Sequence, residues 1–388
     1  MRPVLVVVLV DALGWTLARS VSGFAPRLAE RRPLATVLGF SSGALPTAFT
    51  GRPPRDHGRW LMYQRAGPGG GVFRGFERLR WLPRRARRSW RLSRWLTALV
   101  ERRGVRGYFD LYEVPRDELA AFDLPERGDI FAPGGLPVDS LWDALERRGV
   151  SWRGWNWRHA EPDARAEALA RLERGGEDFL FLYSAVLDAR LHHEGPRGPG
   201  VRENLREWSE WFERAHAAAA RSGREAWLYL CSDHGMVEVD ATVDVMGRLE
   251  ALPWRRRRDY LAFYDSTMAR FWWRAPGARD AVRAALAAEP AGRWLAREDL
   301  AREGADFDDR RYGDDVFLLR PGALLVPSFM GREPVRAMHG YDPAHADMAG
   351  ILASNRPLPP DVTHLAHLRG FLERELEAGR AAARTGAA

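Results

Sequence analysis

Four apolar runs along the chain have the pattern of buried β-strands. Residues 4–10 are continuously apolar and end at Asp11, and residues 179–183 and 226–231 have the same form. Residues 316–319 make a weaker run of this kind. A strand that is covered on both faces shows no alternation of apolar and polar side chains. The four runs therefore predict central strands of a sheet.

Helical patterns separate these runs, the clearest at residues 162–173 and 201–220. Strands that alternate with helices form a mostly parallel sheet with helices on both faces. We therefore predict an α/β fold over residues 1–388, a single domain built as a three-layer α/β/α sandwich with a mostly parallel central sheet. Functional side chains in such a fold gather beyond the carboxyl ends of the strands.

Two segments interrupt this alternation and are predicted to be inserted cap segments. The first covers residues 67–130 and opens with a Gly- and Pro-rich link, and the second covers residues 248–315. Within the first, residues 74–106 carry a dozen arginines. Three tryptophans lie between these arginines: Trp81, Trp90 and Trp95.

The Arg/Trp-rich segment 74–106 allows three interpretations. In a solvated helical cap, arginine stems cover apolar surface while the guanidinium groups stay in water. In a substrate lid, some of the arginines bind phosphate groups. In an interfacial helix, tryptophan enters the headgroup region and arginine meets anionic lipid, which would make the protein peripheral to a membrane. Arginine and tryptophan together also suit single-stranded nucleic acid, but no recognisable nucleic-acid-binding fold surrounds the segment, so nucleic acid is not the expected partner.

Composition and charge restrict the possible classes only in part. The chain has 388 residues, of which 46% are hydrophobic, enough to bury a large core. All 59 basic residues are arginine, and the formal net charge of +7 suits a phosphate-bearing substrate, nucleic acid or an anionic membrane without choosing among them. The single cysteine, Cys231, excludes an internal disulfide. The apolar stretch at residues 3–10 is too short to span a bilayer and lacks a signal-peptide cleavage pattern, so a cytoplasmic location is expected.

Seven polar residues follow predicted strands or open predicted helices, and together they make one set of oxygen and nitrogen ligands. They are Asp11, Ser41, Asp188, His192, Asp233, His234 and His339. Asp188 and His192 are four residues apart, which puts both side chains on one helical face where they can share a metal ion. Ser41 precedes a predicted short helix at residues 43–50, whose positive end favours a bound phosphoryl group. Ser41 is therefore the candidate nucleophile.

Three aspartates, three histidines and a serine are enough for two adjacent divalent metal sites, if the serine oxygen completes one of them. The mixture of imidazole and carboxylate ligands favours zinc, and manganese or iron can bind the same groups.

The same residues lie in motifs that resemble those of the type I phosphodiesterase/nucleotide pyrophosphatase family, a branch of the alkaline phosphatase superfamily. The motifs are Val10-Asp11-Ala12-Leu13-Gly14, Ser41 nine residues before Thr50-Gly51, Pro54 with His57-Gly58, Asp188-x-x-x-His192, Ser232-Asp233-His234-Gly235-Met236 and His339-Gly340-Tyr341-Asp342. They occur in family order along nearly the whole chain, and the last two are the most specific.

The resemblance implies a metal-dependent hydrolase that cleaves a phosphodiester or pyrophosphate bond through a phosphoserine-type intermediate on Ser41. It implies one metal ion held by Asp188, His192 and His339. It implies a second metal ion held by Asp11, Asp233, His234 and the oxygen of Ser41. Two ions about 4 Å apart can activate the attacking oxygen and stabilise the leaving group. The expected partner is a phosphate-containing small molecule or a lipid-linked substrate.

One departure from the family pattern bears on the substrate. The family usually has Thr followed by Phe-Pro-Asn, whose Asn bonds a phosphate oxygen, whereas Ser41 is followed by Ser42, Gly43 and Ala44. Ala44 cannot make that bond, although the hydroxyl of Ser42 or an arginine can compensate. A phosphomonoesterase and a phosphonate hydrolase of the same superfamily therefore remain alternatives. Ser42 is the alternative nucleophile if the turn is shifted by one residue.

Other classes fit less well. A sulfatase requires a formylglycine motif that is missing around Ser41, and a phosphomutase usually has a richer set of sugar-phosphate ligands. The alternative of a different class is a non-catalytic, metal-stabilised protein that binds a membrane surface. All seven inferred active positions are intact, which argues against it.

Overall fold

The centre of the fold is a six-stranded sheet in the computed structural model, which describes residues 3–87 and 89–385. In spatial order the strands are Glu30–Leu34, Gly350–Ser354, Glu225–Cys231, Pro3–Val10, Phe179–Ser184 and Trp152–Trp155. Pro3–Val10 pairs in parallel with both of its neighbours, and Gly350–Ser354 runs antiparallel to both of its own. The predicted mostly parallel sheet is confirmed, and three of the four predicted strands lie in it.

The strand Pro3–Val10 is buried along its whole length. Its even-numbered residues, all valine, pack into the core on one face of the sheet, and the odd-numbered residues from Leu5 to Leu9 pack into the core on the other. β-Branched side chains suit such a pleated and crowded surface. The apolar run therefore marks the middle layer of a three-layer structure.

Helices cover both faces of the central sheet, so the predicted α/β/α sandwich is confirmed. The helices on the first face are Trp15–Ser20, Glu161–Arg174, Val186–Glu194 and Pro199–Arg221. Those on the second face are Ser41–Thr50, Leu141–Arg147 and Leu368–Thr385. The helices predicted at residues 162–173 and 201–220 are each slightly longer than expected.

A second, antiparallel sheet lies outside the sandwich. In spatial order its strands are Tyr260–Tyr264, Met268–Trp273, Asp315–Leu319 and Gly292–Trp294. The prediction that residues 316–319 belong to the central sheet is wrong. Phe317 packs into one apolar cluster and Leu318 into another, so this strand is also covered on both faces. A short apolar run looks the same in any strand that is buried in this way.

The Arg/Trp-rich segment 74–106 packs against the second sheet. It contains the 3₁₀ helix Phe76–Trp81 and the helices Arg84–Arg87 and Trp90–Arg102. Leu96 and Val100 of the last helix are buried in the same apolar cluster as the strands of that sheet. The segment thus covers apolar surface with one side and faces solvent with the other.

The remaining elements are short. The helices are Pro54–His57, Val245–Glu250, Ala278–Ala287 and Arg297–Arg302, and the 3₁₀ helices are Leu119–Ala121, Ala346–Met348 and Leu365–His367. The two-stranded pairs are Gln64–Arg65 with Phe122–Asp123, Val237–Glu238 with Ala337–Met338, and Ala241–Val243 with Ala323–Leu325. Among the described helices, none is both long and apolar enough to cross a lipid bilayer.

Candidate active site

The residues singled out from the sequence come together at one edge of the central sheet. Asp11 follows the strand Pro3–Val10, and Asp233 and His234 follow the strand Glu225–Cys231. Asp188 and His192 lie on the helix that follows Phe179–Ser184, and His339 comes directly after Ala337–Met338. The carboxyl ends of parallel strands meet at the same edge, which is why residues so far apart in sequence become neighbours.

The first ligand cluster contains Asp11, Asp233 and His234, whose ligand atoms lie within 4.8 Å of one another. His234 Nε2 lies 3.3 Å from Asp11 Oδ1 and 3.3 Å from Asp233 Oδ2. The amide of Ala12 donates a hydrogen bond to Asp233 Oδ1 at 3.3 Å. All three ligand side chains are buried, so the cluster is a preformed set of oxygen and nitrogen atoms.

The second ligand cluster contains Asp188, His192 and His339, whose ligand atoms also lie within 4.8 Å of one another. Asp188 Oδ1 lies 3.3 Å from His192 Nε2 and 3.7 Å from His339 Nε2. His192 Nδ1 lies 2.8 Å from the carbonyl oxygen of Ala337. That contact assigns the ring proton to Nδ1 and leaves the lone pair of Nε2 pointing into the cluster.

The two clusters adjoin each other. The rings of His234 and His339 stack with their centroids 3.8 Å apart and their planes 13° from parallel. Because His234 belongs to the first cluster and His339 to the second, this contact brings the two sets of ligands side by side. Such an arrangement suits two metal ions that act on one substrate.

Ser41 lies beside the first cluster and is the first residue of the helix Ser41–Thr50. Its Oγ lies 3.0 Å from His234 Nε2 and 3.4 Å from Asp11 Oδ1. The hydroxyl of Ser42, in contrast, donates a hydrogen bond to the carbonyl oxygen of Trp60 at 3.3 Å. Of these two serines, Ser41 is the one that faces the ligand atoms.

Close packing and a terminal glycine fix the position of the Ser41 helix. Gly43 lies so near the carbonyl oxygen of Trp60 that a Cβ there would be 2.5 Å from that oxygen. The helix ends at Gly51, which has a left-handed φ of 69°, and the Gly51 amide donates back to the carbonyl of Thr47. A glycine at this position ends a helix without steric cost.

The carboxylates of the two clusters influence one another. Burial and the charges of Asp233 and Asp188 raise the pKa of Asp11 well above its ordinary value. Burial acts in the same direction on Asp188, but the histidines around it, above all His192, hold the pKa of Asp188 below its usual range. Burial and then the neighbouring His234 lower the pKa of His339, which favours its neutral, metal-binding form.

Two carboxylate oxygens test whether the clusters fit a cation. Asp188 Oδ1 and Asp233 Oδ2 are buried and accept no hydrogen bond from any described residue. Each lies 3.3 Å from an imidazole nitrogen, Nε2 of His192 and of His234 respectively. Two ligands that are each about 2.0 Å from a tetrahedral ion lie about 3.3 Å apart. Burial, donor chemistry and spacing therefore all fit a divalent cation in each cluster.

Comparison with known proteins places this site in a family. The family model of type I phosphodiesterase / nucleotide pyrophosphatase matches residues 5–342. The chain belongs to this family. As a member of the type I phosphodiesterase/nucleotide pyrophosphatase family it is a phosphoric ester hydrolase. No curated protein sequence matches it significantly.

Solved structures show the same fold in relatives of low sequence identity. Murine ectonucleotide pyrophosphatase/phosphodiesterase 5 superposes with a TM-score of 0.67 at 16% identity, covering 96% of this chain and 95% of that one. An inactive variant of the murine protein in complex with AMP gives 0.66 at 17% identity, with 97% and 95% covered. The human counterpart gives 0.64 at 15% identity, with the same coverage of 97% and 95%.

A cavity of about 440 Å³ lies next to Ser41 and both ligand clusters. Most of its walls are apolar or aromatic, with Phe40, Tyr108, Phe131 and Trp157 among them. Its size lies in the usual range for small-molecule sites, about 300–1,000 Å³. The ligand clusters thus adjoin a cavity that is large enough to hold an organic group.

Three polar residues of the site were not predicted from the sequence: Tyr183, Arg59 and Glu126. The hydroxyl of Tyr183 donates to Asp11 Oδ2 at 2.5 Å. Arg59 and Glu126 line the cavity. In the sequence, Tyr183 looks like an ordinary residue at the end of an apolar strand. Arg59 is one of many arginines in the chain, so its residue type does not distinguish it. Only their burial beside the clusters marks them, and that is a tertiary property.

Proposed function

We propose that this protein is a metal-dependent phosphodiesterase that cleaves a phosphodiester or pyrophosphate bond through a covalent intermediate on Ser41. The observation that carries the proposal is the position of Ser41 Oγ, 3.0 Å from His234 Nε2 and 3.4 Å from Asp11 Oδ1. The oxygen lies beside one ligand cluster, near the second, and at the start of a helix. That position suits a nucleophile that attacks phosphorus.

Each cluster would hold one divalent ion, and Ser41 Oγ would complete the ligand set around Asp11. When bound, the ions would lower the pKa of the Ser41 hydroxyl, neutralise phosphoryl oxygens and stabilise the leaving group. Zinc suits the mixture of imidazole and carboxylate ligands, and manganese or iron can bind the same atoms.

The helix that begins at Ser41 supplies further donors. The first intrahelical hydrogen bonds run from the amides of Gly43 and Ala44 to the carbonyl of Phe40, at 2.8 and 3.1 Å. The amides at the very start of a helix have no intrahelical partner, and the helix dipole is positive there. The backbone at Ser41 and Ser42 can therefore donate to phosphoryl oxygens, a role that the side chain of Ala44 cannot perform.

The chemistry proceeds in two displacements. In the first, the Ser41 hydroxyl gives up its proton and its oxygen forms a bond to phosphorus. The bond from phosphorus to the leaving-group oxygen breaks, and the leaving group departs with a proton in place of the one that Ser41 lost. In the second, a water oxygen attacks the phosphoserine-type intermediate. The bond from Ser41 to phosphorus then breaks and the serine hydroxyl is restored. One water molecule is consumed for each bond that is cleaved.

The substrate is proposed to be a phosphate-containing small molecule with an organic group on each side of the scissile bond. The cavity favours this interpretation because its apolar and aromatic walls extend beyond the ligand clusters. Residues of both proposed cap segments contribute to these walls, with Tyr108 from 67–130 and Ser266 from 248–315. A small phosphomonoester would leave much of that apolar surface without a partner, whereas organic groups on both sides of the bond can cover more of it.

Initial rates on two chromogenic substrates test the function. We expect a metal-dependent rate on bis-p-nitrophenyl phosphate well above the rate on p-nitrophenyl phosphate, with zinc and manganese each added to metal-depleted protein. Ser41→Ala is expected to lose at least about a thousandfold in kcat while it retains bound metal. A dominant monoester rate would favour the phosphatase alternative, and an active Ser41→Ala variant would exclude the serine intermediate.

A specific observation also supports peripheral contact with a membrane through residues 74–106. Trp81, Trp90 and Trp95 are 78%, 63% and 59% exposed. Arg91 and Arg94 are exposed on the same helix as Trp90 and Trp95. Exposed tryptophan enters the headgroup region of a bilayer, and clustered arginine is attracted to anionic lipid. Contact with a membrane through this surface would fit a lipid-linked substrate.

Vesicle sedimentation tests the membrane proposal. The protein is expected to pellet with vesicles of phosphatidylcholine mixed with phosphatidylglycerol, to pellet less at high salt, and to stay in solution with phosphatidylcholine alone. The variant Arg91→Glu/Arg94→Glu should lose this binding. A charge-matched control, Arg202→Glu/Arg214→Glu on the exposed side of the helix Pro199–Arg221, should keep it. Equal losses in both variants, or preferential binding to single-stranded nucleic acid, would contradict the proposal.

A further inference from the structure

The guanidinium group of Arg59 is buried with few partners. The residue is only 5% exposed. Its Nη2 donates a hydrogen bond to the carbonyl oxygen of Gly135 at 3.0 Å. Its Nε and Nη1 are buried and have no hydrogen-bond partner among the described residues. A buried cation with unused donors is unfavourable, and burial accordingly lowers the pKa of Arg59.

Arg59 lines the same cavity as Ser41 and belongs to the segment that supports the Ser41 helix. The next residue, Trp60, accepts a hydrogen bond from Ser42 through its carbonyl oxygen at 3.3 Å. The indole of Trp60 donates to the carbonyl of Leu38 at 2.7 Å, just before the Ser41 turn. The backbone at Arg59 is therefore fixed relative to the attacking oxygen.

Two acidic residues that line the cavity outside the ligand clusters, Asp265 and Glu126, do not pair with Arg59. Asp265 pairs with the buried Arg270 at 2.7 Å. Glu126 accepts a hydrogen bond from the amide of Tyr108 at 2.9 Å and, in the described part of the chain, makes no ion pair with Arg59. Burial raises the pKa of Glu126 to about 7, although the charge of Arg59 opposes this shift. The cavity is thus lined by a buried guanidinium group that makes no ion pair with Asp265 or Glu126 among the described residues.

We propose that Arg59 binds a second anionic group of the substrate, beyond the phosphoryl group that Ser41 attacks. The inference rests on the proposed function, because it takes Ser41 as the point of attack. A guanidinium group with free N–H donors is well suited to phosphate oxygens, and such charge-assisted hydrogen bonds are strong away from water. The ligand class is a compound with adjoining phosphates, such as a nucleoside diphosphate or a pyrophosphate-bridged molecule.

Binding to catalytically inactive protein tests this inference. In a Ser41→Ala background with metal added, calorimetry would compare AMP, which has one phosphate, with ADP, which has two. We expect ADP to bind more tightly than AMP. Arg59→Met should weaken ADP about ten- to a hundredfold more than AMP, since hydrogen bonds to a charged group are lost. Arg59→Lys, which keeps the charge, should restore part of the difference.

A second variant keeps the test informative if Arg59→Met folds poorly. Glu126→Gln removes the acid that shares the cavity with Arg59, and it should tighten ADP more than AMP. The inference is wrong if ADP binds no more tightly than AMP, or if Arg59→Met weakens both ligands equally. Failure of the proposed function has a different signature, because wild-type protein would then show no metal-dependent turnover of bis-p-nitrophenyl phosphate while the effect of Arg59 on ADP binding persisted.

Discussion

At the scale of single residues, the site depends on side chains that hold the proposed metal ligands in position. Tyr183 is such a residue, since its hydroxyl donates to Asp11 Oδ2 at 2.5 Å. Burial and the charge of Asp11 raise the pKa of Tyr183, which keeps its hydroxyl a donor at all working pH values. Groups of this kind orient a ligand and tune its affinity without touching the ion.

Tyr183→Phe should therefore weaken metal binding while leaving the fold intact. We expect affinity for zinc to fall about ten- to a hundredfold, measured against a competing chelator. Tyr63→Phe is a matched control, because its hydroxyl is bonded to the carbonyl of Asp110 at 2.6 Å in the core of the second sheet. If both variants bind zinc like the wild type, the hydrogen bond to Asp11 does not tune the site.

His57 makes the stability of the folded protein depend on pH. It lies under the Ser41 helix, with Nε2 3.0 Å from Thr47 Oγ1 and Nδ1 accepting from the amide of Arg59 at 3.3 Å. Burial and the charge of Arg59 lower the pKa of His57 to about 3, against 6.5 in an unfolded chain. Below pH 6.5 the unfolded chain therefore binds a proton that the folded chain does not. Stability is lost as the pH falls from 6.5 towards 3.

The corresponding prediction concerns His57→Gln. Wild type should lose up to about 1.4 kcal/mol of unfolding free energy per pH unit through this residue below pH 6.5, and the variant should not. Urea titrations at pH 7, 6 and 5 measure the difference, in which the contributions of other histidines cancel. Parallel pH profiles for the two proteins would show that folding does not lower the pKa of His57.

At the scale of elements, the packing of the Ser41 helix determines where the proposed nucleophile lies. Its Gly43 lies against the carbonyl of Trp60, where a Cβ would be 2.5 Å from the oxygen. Gly43→Ala should push the start of the helix away from the clusters, and a displacement of about 1 Å costs roughly a hundredfold in kcat. Gly67→Ala is the control, since no described atom lies within 4 Å of the added Cβ. Unchanged turnover of bis-p-nitrophenyl phosphate by Gly43→Ala would contradict this role.

Elements with a strong local pattern could be predicted from the sequence, and those without one could not. The run that ends at Asp11 gave the central strand, because a strand covered on both faces must be apolar throughout. The edge strand Glu30–Leu34 was missed because four of its five residues are partly or fully exposed and it contains a proline. Residues 316–319 were assigned to the wrong sheet. An apolar run indicates that a strand is buried, but it does not indicate which strands lie beside it.

At the scale of the whole molecule, the ligand clusters follow from topology. Asp11 and His339 lie 328 positions apart and still meet, because parallel strands end at one edge of the sheet. Each motif is local and can be read from the sequence, as can their order. Arg59 and Glu126 could not be identified in this way, because their significance arises from burial in a cavity whose walls come from distant segments.

The same topology predicts that metal stabilises the entire fold. Burial and the charges of Asp233 and Asp188 raise the pKa of Asp11, so the ionised cluster is unfavourable until a cation compensates for its charge. An ion that binds only the folded chain at a hundred times its Kd adds about 2.7 kcal/mol of stability. Chelator should therefore lower the Tm by about 3–5 °C, and added zinc should reverse the change. Asp11→Asn/Asp233→Asn should show a smaller shift, because only the Asp188 cluster would remain to bind metal. A Tm that is the same with and without chelator in wild type would mean that the clusters are stable without ions, and would remove the metal from the proposed mechanism.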